Sequence, residues 1–179
     1  MKKLTLLRHA KSGWDDQVAR DFDRPVNARG IQAALVMGKF MKAQGLSFDH
    51  ILASPAVRVI ETLEHVGVAM GKKFDPQWER RIYLASSVTI IDVIRDMSDE
   101  HDHILLGGHN PGMEDLVFDL VPNDGTSPLR DDVEEKYPTA SLAELKLNIK
   151  SWADINNDCG VLNRFTRPRD LDPRLGPET

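Results

Sequence analysis

Arg8 and His9 close the short apolar run Leu4-Thr5-Leu6-Leu7. Arg58 follows Ile51-Leu52-Ala53-Ser54-Pro55, and His109 follows Ile104-Leu105-Leu106-Gly107-Gly108. Arginine offers a planar fork of donors that matches the equatorial oxygens of a phosphoryl group. A neutral imidazole can attack phosphorus and hold the group covalently. Helix N-termini, expected after Ser54 and Asn110, add backbone N–H groups and a favourable dipole. A lone His or Arg reads most simply as an exposed or ion-paired side chain. The shared placement of these side chains is what points to one phosphate pocket.

Neighbouring residues of a regular strand point to opposite faces. Arg8 and His9 can therefore share a site only if the strand ends there and the backbone turns. Small, unbranched Ala10 is compatible with that turn. Residues 3–8, 50–53 and 103–108 read as buried strands, and open α/β sheets place ligands at strand carboxyl ends. Asn27 predicts the cap of a helix carrying Ile31, Ala34, Leu35, Gly38 and Met41, with Gly45 as its stop. Ser54-Pro55 predicts a second helix by a cap residue followed by Pro at the first position. Ile60, Leu63, Val66 and Met70 form its buried stripe, Gly71 ends it, and Arg58 lies in its first turn. Asn110-Pro111 repeats the signal ahead of Met113, Leu116, Val117 and Leu120. Ser86 or Ser87 caps a helix with Ile90, Ile91, Ile94 and Met97 inside.

Elsewhere the pattern is looser. Residues 11–27 form a long polar loop of the kind that carries function. Residues 74–84 read as an extended segment or edge strand, and 122–138 as loop. Residues 143–149 alternate cleanly, and 159–165 suggest a last edge strand. The tail from Thr166 reads as irregular. The fold class expected is α/β: a mainly parallel sheet covered on both faces, with right-handed crossovers and antiparallel additions at the edge. No boundary divides the chain, so residues 1–179 read as one domain.

The chain of 179 residues is long enough for a full core, and its formal net charge is −5. That charge argues against general nucleic-acid binding but leaves room for a local basic pocket. The single Cys159 excludes an internal disulfide and suits a reducing compartment, so a cytoplasmic setting is expected. The opening residues faintly resemble a signal n-region, but the apolar run is short and Arg8 interrupts it. No stretch is long enough to span a bilayer.

Leu7-Arg8-His9-Ala10-Lys11-Ser12, Ser54-Pro55-Ala56-Val57-Arg58-Val59-Ile60-Glu61-Thr62 and Gly108-His109-Asn110-Pro111-Gly112 together resemble the histidine phosphatase superfamily. The Arg-His-Ala-Lys-Ser form resembles its SixA-type phosphohistidine phosphatases, although many members have Gly in place of Ala10. The resemblance covers residues 4–112 and implies a phosphoglycerate mutase-like three-layer α/β/α sandwich. It implies His9 as the phosphorylated nucleophile, with Arg8, Arg58 and His109 completing the phosphate pocket. Arg24, in Asp23-Arg24-Pro25, matches an Arg-Pro that also approaches the phosphate. Lys11 and Ser12 are assigned to substrate binding, with a solvated lysine as the plain alternative for Lys11. No metal or organic cofactor is implied.

One departure bears on substrate. Mutase-like relatives carry a glutamate shortly before a Tyr-Gly pair, and here Arg80 falls near that position. Glu79, Asp21 and Asp23 are the carboxylates available as general acid, and each reads more simply as a solvated surface residue. A basic alkoxide leaving group needs such an acid, whereas imidazole, whose conjugate acid titrates near neutrality, needs it far less. The expected substrate is therefore a phosphohistidine on a phosphotransfer protein. A small phosphomonoester and a catalytically silent phosphate-binding module are the alternatives. Phosphate or its analogues are expected in the pocket, and neither nucleic acid nor membrane as partner. His101 and His103 lack a third ligand at a recognised spacing. Trp14 and Trp152 read as packing residues, although Trp14 could line the groove. Asp131-Asp132 and Glu134-Glu135 read as a solvated acidic loop.

Overall fold

The computed structural model describes residues 1–13 and 20–177, so Trp14, Asp15 and Asp16 lie outside the described residues. The elements run β1 (Lys2–Arg8), α1 (Ala28–Ala43), β2 (His50–Ala53), α2 (Val57–Met70), β3 (Gln77–Trp78), α3 (Ser87–Arg95), β4 (His103–Gly108), α4 (Gly112–Leu120), α5 (Pro128–Glu135), β5 (Leu142–Leu147), β6 (Gly160–Thr166) and α6 (Pro168–Leu171). The strands form one sheet in the order β3-β2-β4-β1-β5-β6. The pairs β2–β3, β2–β4 and β1–β4 are parallel; β1–β5 and β5–β6 are antiparallel. The two late strands are thus the antiparallel addition that the missing crossover helix predicts.

Period-two alternation divides the apolar side chains between two cores. Leu4, Leu6, Ile104, Leu106, Ala143 and Leu145 meet Ile90, Ile94, Met113 and Leu116 of α3 and α4 on one face. Leu7, Leu105 and Leu142 meet Ala34, Met37, Met41, Leu63 and Val66 of α1 and α2 on the other. The result is a three-layer α/β/α sandwich.

Local signals explain most boundaries. Asn27 Oδ1 accepts from Gly30 N–H at 2.9 Å, capping α1. Gly71 ends α2 in the left-handed region at φ 69°. Ser86 Oγ accepts from Thr89 N–H at the start of α3. Four expectations need correction. Ser54 does not cap α2, which begins at Val57 after an uncapped Ala56. The helix after Asn110 begins at Gly112, with Pro111 ahead of it, although Asn110 Oδ1 still accepts from Glu114 N–H. Residues 122–138 are not all loop: Ser127 caps α5 and Pro128 takes its first position. The tail is not irregular throughout, because Pro168 starts α6 and Pro173–Leu175 form a 3-10 turn.

Candidate active site

Register brings the three strand ends to one edge. Arg8 pairs with Gly108, and Ala53 with Gly107. The backbone extends the ladder slightly: His9 N–H donates to the Gly108 carbonyl at 3.1 Å and Ser54 N–H to that of Gly107 at 3.0 Å. The strand then ends. Ala140 N–H is shared by the carbonyls of Arg8 and His9, Ala10 N–H donates to Thr62 Oγ1 at 2.8 Å, and Ser12 already bridges Val26. With regular pleating broken at that point, Arg8 and His9 line the same open cleft of about 350 Å³. Lys11, Ser12, Arg24, Arg58 and His109 line it too. All the residues assigned to the site from sequence therefore come together.

His9 is 9% exposed, and its Nδ1 lies 2.8 Å from its neighbour's carbonyl, Ala10 O. A carbonyl only accepts, so Nδ1 carries the proton and Nε2 keeps its lone pair. Burial pushes the His9 pKa down to about 4; the Ala10 carbonyl opposes this, and the charges of Arg8, Arg58 and Arg24 reinforce it. His109 is 3% exposed, its ring centre 5.4 Å from that of His9. Burial, then His9 and Arg58, lower its pKa to about 3. Its Nε2 lies 2.8 Å from Ser54 Oγ, while Nδ1 is buried without a partner. The Ser54 hydroxyl, which accepts from Ala56 N–H, can donate to Nε2 and leave Nδ1–H for an incoming oxygen. Both rings are neutral at pH 7.

The arginines are held by groups that sequence reading undervalued. Arg58 is 2% exposed, and such a buried cation needs partners. Its guanidinium donates to Asp21 O at 2.9 Å and Asp21 Oδ2 at 3.0 Å. Arg24 Nε donates to Asp21 Oδ1 at 2.9 Å, and its Nη1 to Ser12 Oγ at 2.7 Å. Tyr83 O–H donates to Asp21 Oδ2 at 2.6 Å. Asp21 is thus no solvated surface carboxylate but the clamp joining two arginines and a tyrosine. Partial burial disfavours its charge, but the hydrogen bonds from Tyr83, Arg24 and Arg58 outweigh that and hold its pKa at about 2. A carboxyl so committed is a poor proton donor near neutrality. Asp23 pairs with Arg20 and Glu79 with Arg81, and neither lines the cleft. Arg8 Nη1 donates to Tyr137 O at 2.8 Å; the Nε atoms of Arg8 and Arg58 are buried without partners.

Thr62 couples the parts. Its Oγ1 accepts from Ala10 N–H and donates to Arg58 O at 2.6 Å, so it ties the His9 loop to the first turn of α2. Glu61 Oε1 accepts from Val26 N–H at 2.9 Å, anchoring the loop that carries Arg24. Both belong to the Arg58–Thr62 motif, a signal visible in the sequence without an assigned role. Asp21 and Tyr83 had no such signal, because their link spans the loop and a distant turn. Outside the cleft, His103 Nε2 lies 2.7 Å from Thr5 Oγ1, and His101 stacks on His50. Trp152 is buried, its indole donating to His101 O.

A parallel-sheet edge that gathers two neutral histidines and three arginines has the chemistry to hold a phosphoryl group. Its relatives agree. The histidine phosphatase superfamily (branch 1) matches over residues 4–82. An uncharacterised protein of Mycobacterium tuberculosis is 34% identical over 164 residues, covering 91% of this chain and 100% of that one. A candidate phosphohistidine phosphatase SixA from Agrobacterium tumefaciens is 28% identical with a TM-score of 0.77, covering 93% of this chain and 98% of that one. Another, from Nakamurella multipartitia, shares the fold at 24% identity and a TM-score of 0.79, covering 93% and 96%. The chain belongs to the histidine phosphatase superfamily and is a phosphatase of that class.

Proposed function

We propose that the protein hydrolyses phosphohistidine on a protein donor, without a metal, through phospho-His9. One observation carries this reading: His9 presents an unprotonated Nε2 to a pocket of cations, while the nearby Asp21 carboxyl is held ionised. Nucleophile and charge stabilisation are supplied, and protonation of a basic leaving group is not. In the first step His9 Nε2 attacks phosphorus in line as the P–N bond to the donor imidazole breaks. Arg8, Arg24, Arg58 and His109 Nδ1–H stabilise the oxygens in flight, and the donor ring, already protonated on its other nitrogen, leaves as neutral imidazole and keeps that proton. Water then attacks phospho-His9, releasing inorganic phosphate and neutral His9. The cytoplasmic setting expected from the lone cysteine belongs to the same proposal.

A small phosphoester is the second reading, and Glu114 favours it. Burial and the neighbouring Asp115 raise the Glu114 pKa against the pull of Arg8, so this carboxyl at the start of α4 holds a proton more readily than an ordinary glutamate. The deciding experiment compares kcat/KM for a phosphohistidine peptide and for β-glycerol phosphate, whose alkoxide leaving group needs a proton donor, in chelator, using wild type, His9→Ala and Glu114→Gln. The phosphohistidine peptide is the better substrate, His9→Ala is inactive on both, and Glu114→Gln changes neither rate by more than about twofold. A general acid contributes about 10²- to 10⁴-fold, so a loss of that size on the ester in Glu114→Gln, together with a preference for the ester, overturns the phosphohistidine assignment.

A further inference from the structure

A second cleft of about 330 Å³ adjoins the phosphate pocket, sharing Arg8, Lys11 and Thr139 with it. Its described lining contains the cations Arg8, Lys11, Arg29, Lys136 and Arg169 and no aspartate or glutamate. This occurs in a chain with a net charge of −5. Among the described residues, the carboxylates of the adjoining C-terminal segment are engaged elsewhere: Asp170 pairs with Arg167 at 3.1 Å and Asp172 with Arg174 at 2.8 Å.

The cleft is built by fixed elements. Arg29, in the first turn of α1, donates to the Gly176 carbonyl and fastens the C-terminal segment against that helix. Arg8 donates to Tyr137 O, and Asn110 Nδ2 donates to the same oxygen at 3.0 Å, fixing the segment that carries Lys136. Arg169 comes from α6. A concave site lined by one sign of charge focuses its field and concentrates counter-ions. Ala33, Pro138 and Leu175 give the same cleft an apolar floor suited to a short methylene stem.

We propose that this cleft is a second anion subsite, taking a carboxylate carried by the phosphoryl donor close to the transferred group. On the phosphohistidine reading, from which only the donor's identity is borrowed, the anion is an Asp or Glu side chain flanking the phosphohistidine. The donor is then selected by two charges, one transferred and one retained.

The test reads the cleft independently of the bond being broken. The peptides Glu-phosphoSer-Glu and Gln-phosphoSer-Gln compete with p-nitrophenyl phosphate in wild type and in the double variant Lys136→Gln/Arg169→Gln. In wild type the inhibition constant of the Glu peptide is about tenfold below that of the Gln peptide, equivalent to about 1.4 kcal/mol. In the double variant the ratio falls to about one. Equal constants in wild type, or a ratio that survives both substitutions, overturn the subsite. Methylenediphosphonate, a small molecule with two anionic groups, is the third probe. A tenfold loss of its affinity in the double variant, with no discrimination between the peptides, overturns the side-chain assignment in favour of a small diphosphate-like donor. Failure to hydrolyse phosphohistidine peptides while the peptide ratio holds overturns the substrate reading alone.

Discussion

Asp21 shows what one side chain does for this site. Its carboxylate receives Arg24, Arg58 and Tyr83, and its carbonyl a second bond from Arg58. Asp21→Asn removes the charge facing a buried guanidinium while keeping the shape. Hydrogen bonds to charged groups contribute about 1.5–3 kcal/mol, and the side chain is 32% exposed, so a loss near the lower end, about 1–2 kcal/mol, is expected in denaturant unfolding. With Arg58 and Arg24 no longer fixed, kcat/KM falls by about tenfold or more; unchanged kinetics would show that the arginines orient themselves. The histidines make a different prediction. His9 titrates near 4 and His109 near 3 in the folded protein, against about 6.5 unfolded. Between those values the unfolded chain binds more protons, so stability is full above about pH 6.5 and declines as pH falls toward 4 and 3. His9→Gln should flatten the dependence of Tm on pH over 4–6.5. The acid limb of kcat/KM in wild type, corrected for the substrate's own ionisation, should lie near 4, and a limb near 6.5 would mean that burial does not hold His9 neutral. Arg8, His9, Arg58 and His109 were legible in the sequence because each follows a short apolar run, whereas Arg24 was legible only through the resemblance of Asp23-Arg24-Pro25. Asp21 was legible only as a carboxylate in a polar loop, since its partners Arg58 and Tyr83 are remote in sequence and only folding brings them to it.

The elements were legible where periodicity and punctuation agreed, as in β1, β2, β4 and the end of α2 at Gly71. The cap-plus-Pro signal shows where they did not. It marks the true start of α5 at Ser127-Pro128, yet at Ser54-Pro55 and Asn110-Pro111 the helices begin later. At those two places the polar residue serves the site instead: Ser54 Oγ meets His109, and Asn110 Nδ2 holds the Tyr137 carbonyl. Local propensity gave way where a side chain had a long-range partner. Packing between elements yields a further prediction at Gly30. A Cβ there would lie 2.2 Å from Lys11 O and 2.6 Å from Val26 Cγ1, so α1 packs directly on the backbone leaving β1. Asn27 N–H donates to the same Lys11 carbonyl at 2.9 Å. Gly30→Ala must therefore move the Lys11–Ser12 segment or the helix, at about 1–3 kcal/mol for overpacking. Because Ser12 accepts from Arg24, the variant should also raise KM for p-nitrophenyl phosphate. A stability loss with unaltered KM would place the displacement entirely in α1.

At the scale of the whole molecule, two charges of opposite sense act on an anionic substrate. The chain as a whole carries −5, while the edge of the sheet presents Arg8, Lys11, Arg24, Arg29, Arg58, Lys136 and Arg169 across two adjoining clefts. Which field governs association depends on screening. At about 0.1 M salt the Debye length is about 10 Å, and at about 0.01 M about 30 Å. At 0.1 M an approaching phosphate is sensitive to the clefts and largely insulated from the distant acidic surface. At 0.01 M it feels both, and the overall negative charge cancels part of the attraction. Raising salt from about 0.1 to about 0.5 M should therefore lower kcat/KM several-fold, as the local attraction is screened. Lowering salt from about 0.1 to about 0.01 M should give little gain, and the curve should bend rather than follow one slope. Sodium chloride titrations of p-nitrophenyl phosphate hydrolysis, with viscosity held constant, measure this directly. A rate that climbs steadily as salt is removed would mean that the clefts outweigh the net charge at every range. A rate that rises with added salt would mean that the acidic surface prevails even at the mouth of the site, and that the cations serve only a phosphoryl group already bound.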